Sequence, residues 1–121
     1  MSKHNNRIHV VDDDRVVCHS LCQILHKHGF DVESYQSAEE YLENLTEGFN
    51  GYLLIDHKMG GMTGLELQEQ LLKKNVHPTV IFITAMSEQI KERALANGAL
   101  DVFEKPFDLS KLISLLNSTQ H

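Results

Sequence analysis

Asp12, Asp13, Asp56, Thr84 and Lys105 are the side chains of this chain whose types and placement point to chemistry. Each stands at or just beyond the end of a short apolar run. Ile8-His9-Val10-Val11 precedes Asp12, Tyr52-Leu53-Leu54-Ile55 precedes Asp56, Val80-Ile81-Phe82-Ile83 precedes Thr84, and Val102-Phe103 precedes Glu104-Lys105. Carboxylates gathered in one place repel and raise one another's pKa. A hard cation with oxygen ligands resolves this, and magnesium suits one or two carboxylates plus water and phosphate oxygens. A free carboxylate, Asp56, can attack phosphorus to give an acyl phosphate. The transferring group carries spread negative charge and needs a cation and donors in position, for which Lys105 offers an ammonium and Thr84 a hydroxyl. Singly, each residue has an ordinary reading: Asp13 or Asp14 as a helix N-cap, Asp56 as a turn residue, Thr84 bonded to nearby backbone, Lys105 as a solvated loop lysine. Their joint position at strand ends carries the functional reading.

The elements that must position them alternate. The first strand, Ile8 to Val11, leads into a helix with Val17, Leu21, Ile24 and Leu25 on one stripe, stopped by Gly29. Asp31 to Tyr35 reads as a second strand. Ser37-Ala38-Glu39-Glu40 has the pattern of a capping box opening a helix that carries Tyr41, Leu42 and Leu45 and ends near Gly48. The third strand, Tyr52 to Ile55, is apolar throughout and therefore expected to be buried on both faces. After the loop His57-Lys58-Met59-Gly60-Gly61-Met62, Thr63 can cap a helix including Leu67, Leu71 and Leu72, and Pro78 ends the turn beyond it. The fourth strand ends at Thr84. Ser87 can cap a helix with Ile90, Ala94 and Leu95, closed by Asn97-Gly98. The last helix carries Leu109, Leu112, Ile113 and Leu116 at helical spacing. Five strands alternating with five helices imply an α/β fold, a parallel sheet with helices on both faces. Such sheets bind ligands beyond the carboxyl ends of their strands, where the polar residues fall.

At 121 residues the chain has the size of one domain. No apolar run approaches the ~20 residues of a membrane span, and Met1 to Arg7 lacks the apolar middle of a secretory signal. A cytoplasmic location is therefore expected, without membrane association. The net charge of −6 argues against direct nucleic-acid binding by this domain. Cys18 and Cys22, four residues apart on the first helix, read as small apolar residues. A metal site joining them to His19 or His26 lacks the paired-cysteine spacing of zinc sites. The histidines show no repeated spacing, and most are expected on the surface.

The segments Val10-Val11-Asp12-Asp13-Asp14, Ile55-Asp56 with Met59 and Gly64, Ile83-Thr84-Ala85, and Phe103-Glu104-Lys105-Pro106-Phe107 together resemble the receiver domains of bacterial two-component response regulators. The likeness runs from Ile8 to Leu116. It implies a single receiver domain over 1–121 with its core at 8–116, and a flavodoxin-like fold of strand order 2-1-3-4-5. It implies that Asp56 is the phosphoacceptor, served by a sensor histidine kinase. Asp12, Asp13, Asp56 and the Lys58 backbone carbonyl would hold Mg2+ (or Mn2+), with Thr84 and Lys105 on the phosphoryl oxygens. The resemblance also implies a cis Lys105–Pro106 bond and a switch through Thr84 and Phe103, the aromatic turning inward and changing the surface of the fourth helix, fifth strand and fifth helix. The plain alternative makes Phe103 a static core residue. Phosphorylation-dependent homodimerisation through that face is a further expectation, with Ala99, Leu100 and Val102 near it. Lys58 and Met86 are expected to flank the path of hydrolytic water.

The sequence departs from the family in one place. Gly60 stands where a proline usually follows the loop methionine, and Gly61 comes next, so the loop is more permissive and costlier to order. Ser37-Ala38-Glu39 and the Phe103 to Phe107 ending resemble receivers of the nitrogen-fixation type, which precede a helix-turn-helix DNA-binding output domain. On that likeness the chain reads as a piece of a transcription regulator in preference to a stand-alone receiver.

Two rivals make different demands. A haloacid-dehalogenase-type phosphohydrolase would use Asp12 as nucleophile with Asp14 two residues on, and would need a later acidic motif, for which only Asp108 is available. A pseudo-receiver would keep the fold as an interaction module, but such domains typically lack one or more of the site residues.

Overall fold

The computed structural model describes residues 6–45 and 47–119. The elements follow in the order β1 (Arg7–Val11), α1 (Arg15–Lys27), β2 (Asp31–Tyr35), α2 (Ala38–Glu43), β3 (Tyr52–Ile55), α3 (Gly64–Lys73), β4 (Thr79–Thr84), α4 (Ser87–Ala96), β5 (Asp101–Glu104) and α5 (Leu109–Ser118). The five strands form one parallel sheet of order β2-β1-β3-β4-β5.

Alternation along the strands divides the core in two. Val11, Leu53, Ile55, Val80 and Phe82 pack with Tyr41, Leu67, Leu71, Ile90 and Ala94 from α2, α3 and α4. Ile8, Val10, Leu54, Ile81 and Ile83 pack with Cys18, Leu21, Leu25, Leu112 and Leu116 from α1 and α5. All four residues of β3 are buried, as expected of a central parallel strand. A fully buried side chain such as Leu112 or Leu53 contributes about 1.5–3 kcal/mol of transfer free energy.

The helix ends follow their local chemistry, with three departures from the sequence expectations. Asp14 caps α1 by accepting from the Val16 and Val17 amides, and Asp108 caps α5 by accepting from the Ser110 amide. Gly29 and Gly98 stand just past α1 and α4 with φ of +92° and +105°. At α2, Ser37 Oγ accepts from the Glu40 amide, but the Glu40 side chain accepts from the Gln36 amide, one residue short of a true capping box. The reciprocal box is found at α3, between Thr63 and Glu66. Second, α2 stops at Glu43, before Leu45. The Asn44 amide group donates to the Glu40 carbonyl and terminates the turn. Third, Met86 and not Ser87 is the N-cap of α4. Ser87 is already helical, and its hydroxyl donates to Glu104 Oε1 at 2.7 Å.

Most described histidines lie on the surface as expected, and His9 is the buried exception. It lies 2% exposed on β1. Its ring stacks on Phe49 with centroids 3.8 Å apart and planes at 10°. Nδ1 pairs with the Tyr41 hydroxyl at 2.8 Å, and Nε2 has no hydrogen-bond partner among the described residues. Cys18 is buried and Cys22 half-buried, both as free thiols on the inward side of α1. Among the described residues, no helix is long and apolar enough to cross a membrane.

Candidate functional site

The strand register dictates where the acidic groups emerge. Val11 pairs with Ile55, and Ile55 with Phe82, so Asp12 and Asp56 leave adjacent strands at the same level. The backbone continues to hold them past the strand ends: the Asp12 amide donates to Tyr35 O at 3.1 Å and the Asp56 amide to Val11 O at 3.1 Å. Thr84 pairs with Glu104, and its carbonyl accepts the Lys105 amide at 3.0 Å, which brings Lys105 to the same rim. The Lys105–Pro106 bond is cis.

Asp12, Asp13 and Asp56 can each turn a carboxylate oxygen to within 4.8 Å of the others. Among the described residues no other group of His, Cys, Asp or Glu side chains forms a metal-ready cluster, so Cys18 and Cys22 are not joined to His19 or His26 in one. Lys105 Nζ donates to Asp12 Oδ2 at 2.9 Å and to Asp56 Oδ2 at 3.3 Å. Asp12 Oδ1 accepts from the Asp14 amide at 3.0 Å. Burial pushes the Asp12 carboxyl up, and the Asp14 amide and the Lys105 ammonium pull against it without cancelling it. Burial pulls the Lys105 ammonium down, but the neighbouring Asp12 and Asp56 outweigh that, and it ends above the usual lysine value. Asp13 is exposed at the mouth of the cluster. This donor set, all hard oxygen with an excess of negative charge, fits a magnesium-like cation.

Thr84 is fully buried, and its Oγ1 accepts from the Met86 amide at 3.1 Å, leaving the hydroxyl hydrogen to donate elsewhere. Phe103 is half-buried, edge-on to Phe107 with centroids 6.3 Å apart. It lines an open groove between β5 and α5 with Pro106, Phe107, Ser110, Lys111 and Leu115. Lys58 is exposed and Met86 half-buried. Of the residues expected near a dimer face, Ala99 and Val102 are buried, which leaves Leu100, 40% exposed, as the apolar surface residue.

Three contributors to the site's frame have no structural role assigned from the sequence, although Gly64 is among the motif residues. His57 Nδ1 accepts from the Leu65 amide at 3.4 Å, and burial lowers its pKa despite the adjacent Asp56. Gly64 lets α3 start against β3: a Cβ there would stand 2.5 Å from Asp56 O and 2.9 Å from Phe82 Cε2. Glu39 Oε2, from α2, accepts from the Met62 amide at 2.9 Å. Of the contacts that hold this loop, the sequence indicates only that Thr63 can cap α3.

The geometry weighs against the phosphohydrolase assignment. Asp14, the second acid it requires, is committed to capping α1, and Asp108 to capping α5.

A family model described as the response regulator receiver domain matches residues 8–117. The chain is 30% identical over 119 residues to the response regulator protein TodT of Pseudomonas putida, covering 98% of this chain and 52% of that one. It is 35% identical over 111 residues to the transcriptional regulatory protein FixJ of Rhizobium meliloti, covering 90% and 54% respectively. Among solved structures, FixJ-N superposes with a TM-score of 0.82 at 32% identity, covering 95% of this chain and 93% of that one. TrrA of Thermotoga maritima, in complex with Mg2+ and BeF, matches with a TM-score of 0.82 at 25% identity, covering 94% and 98%. The chain spans about half the length of the curated relatives it matches.

Proposed function

The chain belongs to the response-regulator receiver family, and on that premise we propose that Asp56 is its phosphoacceptor, receiving a phosphoryl group in the cytoplasm from the phosphohistidine of a sensor histidine kinase. The observation that carries this reading is the Lys105 ammonium set between Asp12 and Asp56, over the cluster formed with Asp13. Asp12, Asp13 and Asp56, with the Lys58 carbonyl, are the groups that would hold Mg2+ or Mn2+. When bound, the cation supplies charge neutralisation for the phosphoryl oxygens and the carboxylates.

The chain's own residues supply the rest. Asp56, as a carboxylate, contributes the oxygen that bonds to phosphorus while the bond from phosphorus to the donor's imidazole nitrogen breaks. Lys105, already within hydrogen-bond reach of Asp56, follows the charge onto the phosphoryl oxygens. Thr84 donates its hydroxyl hydrogen to another of those oxygens. Its movement, coupled to Phe103 turning inward, would alter the α4–β5–α5 surface. Through that surface the receiver (one domain over 1–121, core 8–116) would control a DNA-binding output domain and, on phosphorylation, a homodimer. The domain is a signalling phosphoacceptor that catalyses only its own phosphorylation and dephosphorylation.

The test is chemical mapping. The protein is incubated with acetyl phosphate and Mg2+, the acyl phosphate is reduced with borohydride, and the peptides are sequenced by mass. Reduction confined to position 56 is expected. Reduction at position 12 would overturn the assignment in favour of the phosphohydrolase chemistry.

A further inference from the structure

We propose that Glu39 is a positioning residue for the metal-binding loop, its carboxylate clasping the Gly61-Met62 stretch so that the backbone from His57 to Met62 is ordered before a cation arrives. The inference rests on the reading of Asp12, Asp13, Asp56 and the Lys58 carbonyl as the metal site.

Two contacts of the same carboxylate place the clasp. Glu39 Oε2 accepts from the Met62 amide at 2.9 Å, joining residues 23 apart in sequence. Gly61 passes directly under the same carboxylate: a Cβ at this position would lie 2.6 Å from Oε2 and 3.3 Å from both Cδ and Oε1. A residue with a side chain at 61 would therefore push the carboxylate away. The loop is fixed elsewhere by the buried Met59 side chain, by the Gly61 amide on Met59 O at 2.8 Å, by the Gly64 amide on His57 O at 2.9 Å and by the Thr63–Glu66 box. Glu39 adds a tether from a different element to the glycines, where the backbone is intrinsically loosest.

The electrostatics agree. Glu39 lies in the first turn of α2, where the helix dipole favours a carboxylate. Hydrogen bonds from the Met62 amide and from its own amide hold its pKa below the usual value, so it stays ionised at neutral pH. A charge-assisted bond of this kind is stronger than a neutral one. Binding a cation to a loop already held in place avoids part of the ordering cost that a free double-glycine loop would incur.

The experiment compares the native chain with Glu39→Ala, Glu39→Gln, Gly61→Ala, Gly60→Ala and Asp12→Asn. Each is read by Mg2+ titration calorimetry, by hydrogen exchange of the Met62 amide without metal, and by thermal unfolding. Glu39 is exposed, so Glu39→Ala is expected to weaken Mg2+ binding by only about two- to threefold, the scale of one solvent-screened contact, and to speed Met62 exchange. Glu39→Gln, which keeps an acceptor oxygen, should recover most of both. Gly61→Ala should reproduce Glu39→Ala by displacing the carboxylate. Gly60→Ala, where a Cβ meets nothing within 4 Å, should bind Mg2+ no more weakly than the native chain. Unchanged Mg2+ affinity in both Glu39→Ala and Gly61→Ala, with affinity lost in Asp12→Asn, would overturn the clasp and leave the metal site standing. A Glu39→Ala loss that Glu39→Gln does not recover would also overturn it. Absence of Mg2+ binding by the native chain would overturn the metal-site reading and the positioning role together, and Met62 exchange would still report whether the contact orders the loop.

Discussion

Lys105 Nζ donates to Asp12 Oδ2 at 2.9 Å while remaining 3.3 Å from Asp56, so one ammonium serves as the protein's own counter-charge for two strand-end carboxylates. The pair links β5 to β1 across 93 residues of sequence. A divalent cation entering the cluster must share these oxygens with the ammonium or displace it. That competition gives the first prediction.

Lys105→Met keeps an aliphatic side chain but leaves Asp12, which is 6% exposed, without its cationic partner. Stability without metal should fall by about 1–3 kcal/mol, the cost of leaving a buried polar group unpaired. Mg2+ should bind more tightly than to the native chain, because the ammonium no longer competes, and should restore more stability by linkage. Urea unfolding with and without Mg2+ measures both, and equal Mg2+ affinity in the two proteins would contradict the competition.

His9 sets a pH dependence away from the acidic cluster. Burial holds its pKa below the usual histidine value of 6.5, with Glu33 opposing and Arg7 assisting. The unfolded chain therefore binds more protons than the native one just below pH 6.5, and stability rises with pH in that window. The penalty is absent above 6.5 and grows as pH falls below it. His9→Phe keeps the stacking surface against Phe49 and removes the titrating group. Denaturant unfolding from about pH 5 to pH 8 should show the native chain losing stability faster than the variant on the acid side. His57, lowered in the same direction, is common to both proteins and drops out of the difference.

Gly64→Ala tests the close approach of α3 to β3. Its Cβ would meet Asp56 O, Phe82 Cε2 and the His57 Cα at 2.5, 2.9 and 3.0 Å, two of them backbone atoms that cannot step aside cheaply. Destabilisation of about 1–3 kcal/mol is expected from this overpacking, together with slower phosphorylation as Asp56 shifts. A thermal midpoint equal to that of the native chain would refute the contact.

The sheet was legible because its strands are short apolar runs ended by charge, and β2 and β3 have the bounds that the runs suggested. The site was legible for the same reason: register alone brings Asp12 and Asp56 to one level once Val11 pairs with Ile55. What escaped was set by contacts distant in sequence or by competition among nearby groups. Glu39 reads locally as a first-turn acid, and nothing near it indicates Met62. Ser87 looks like a cap, but Glu104 on β5 offers its hydroxyl a partner, and Met86 takes the cap position. The end of α2 turned on Asn44 bonding back to Glu40, a choice that helical spacing of Leu42 and Leu45 does not reveal. His9 did leave a signal, since a polar residue inside an otherwise apolar parallel strand is buried by its neighbours' geometry.

The most direct test of the central claim is intact mass after incubation with acetyl phosphate, with and without Mg2+, for the native chain, Asp56→Asn and Asp12→Asn. The account predicts a single phosphoryl adduct on the native chain that requires Mg2+, is absent from Asp56→Asn and is strongly reduced in Asp12→Asn. An adduct that persists in Asp56→Asn, or a native chain that neither binds Mg2+ nor gains mass, would contradict it.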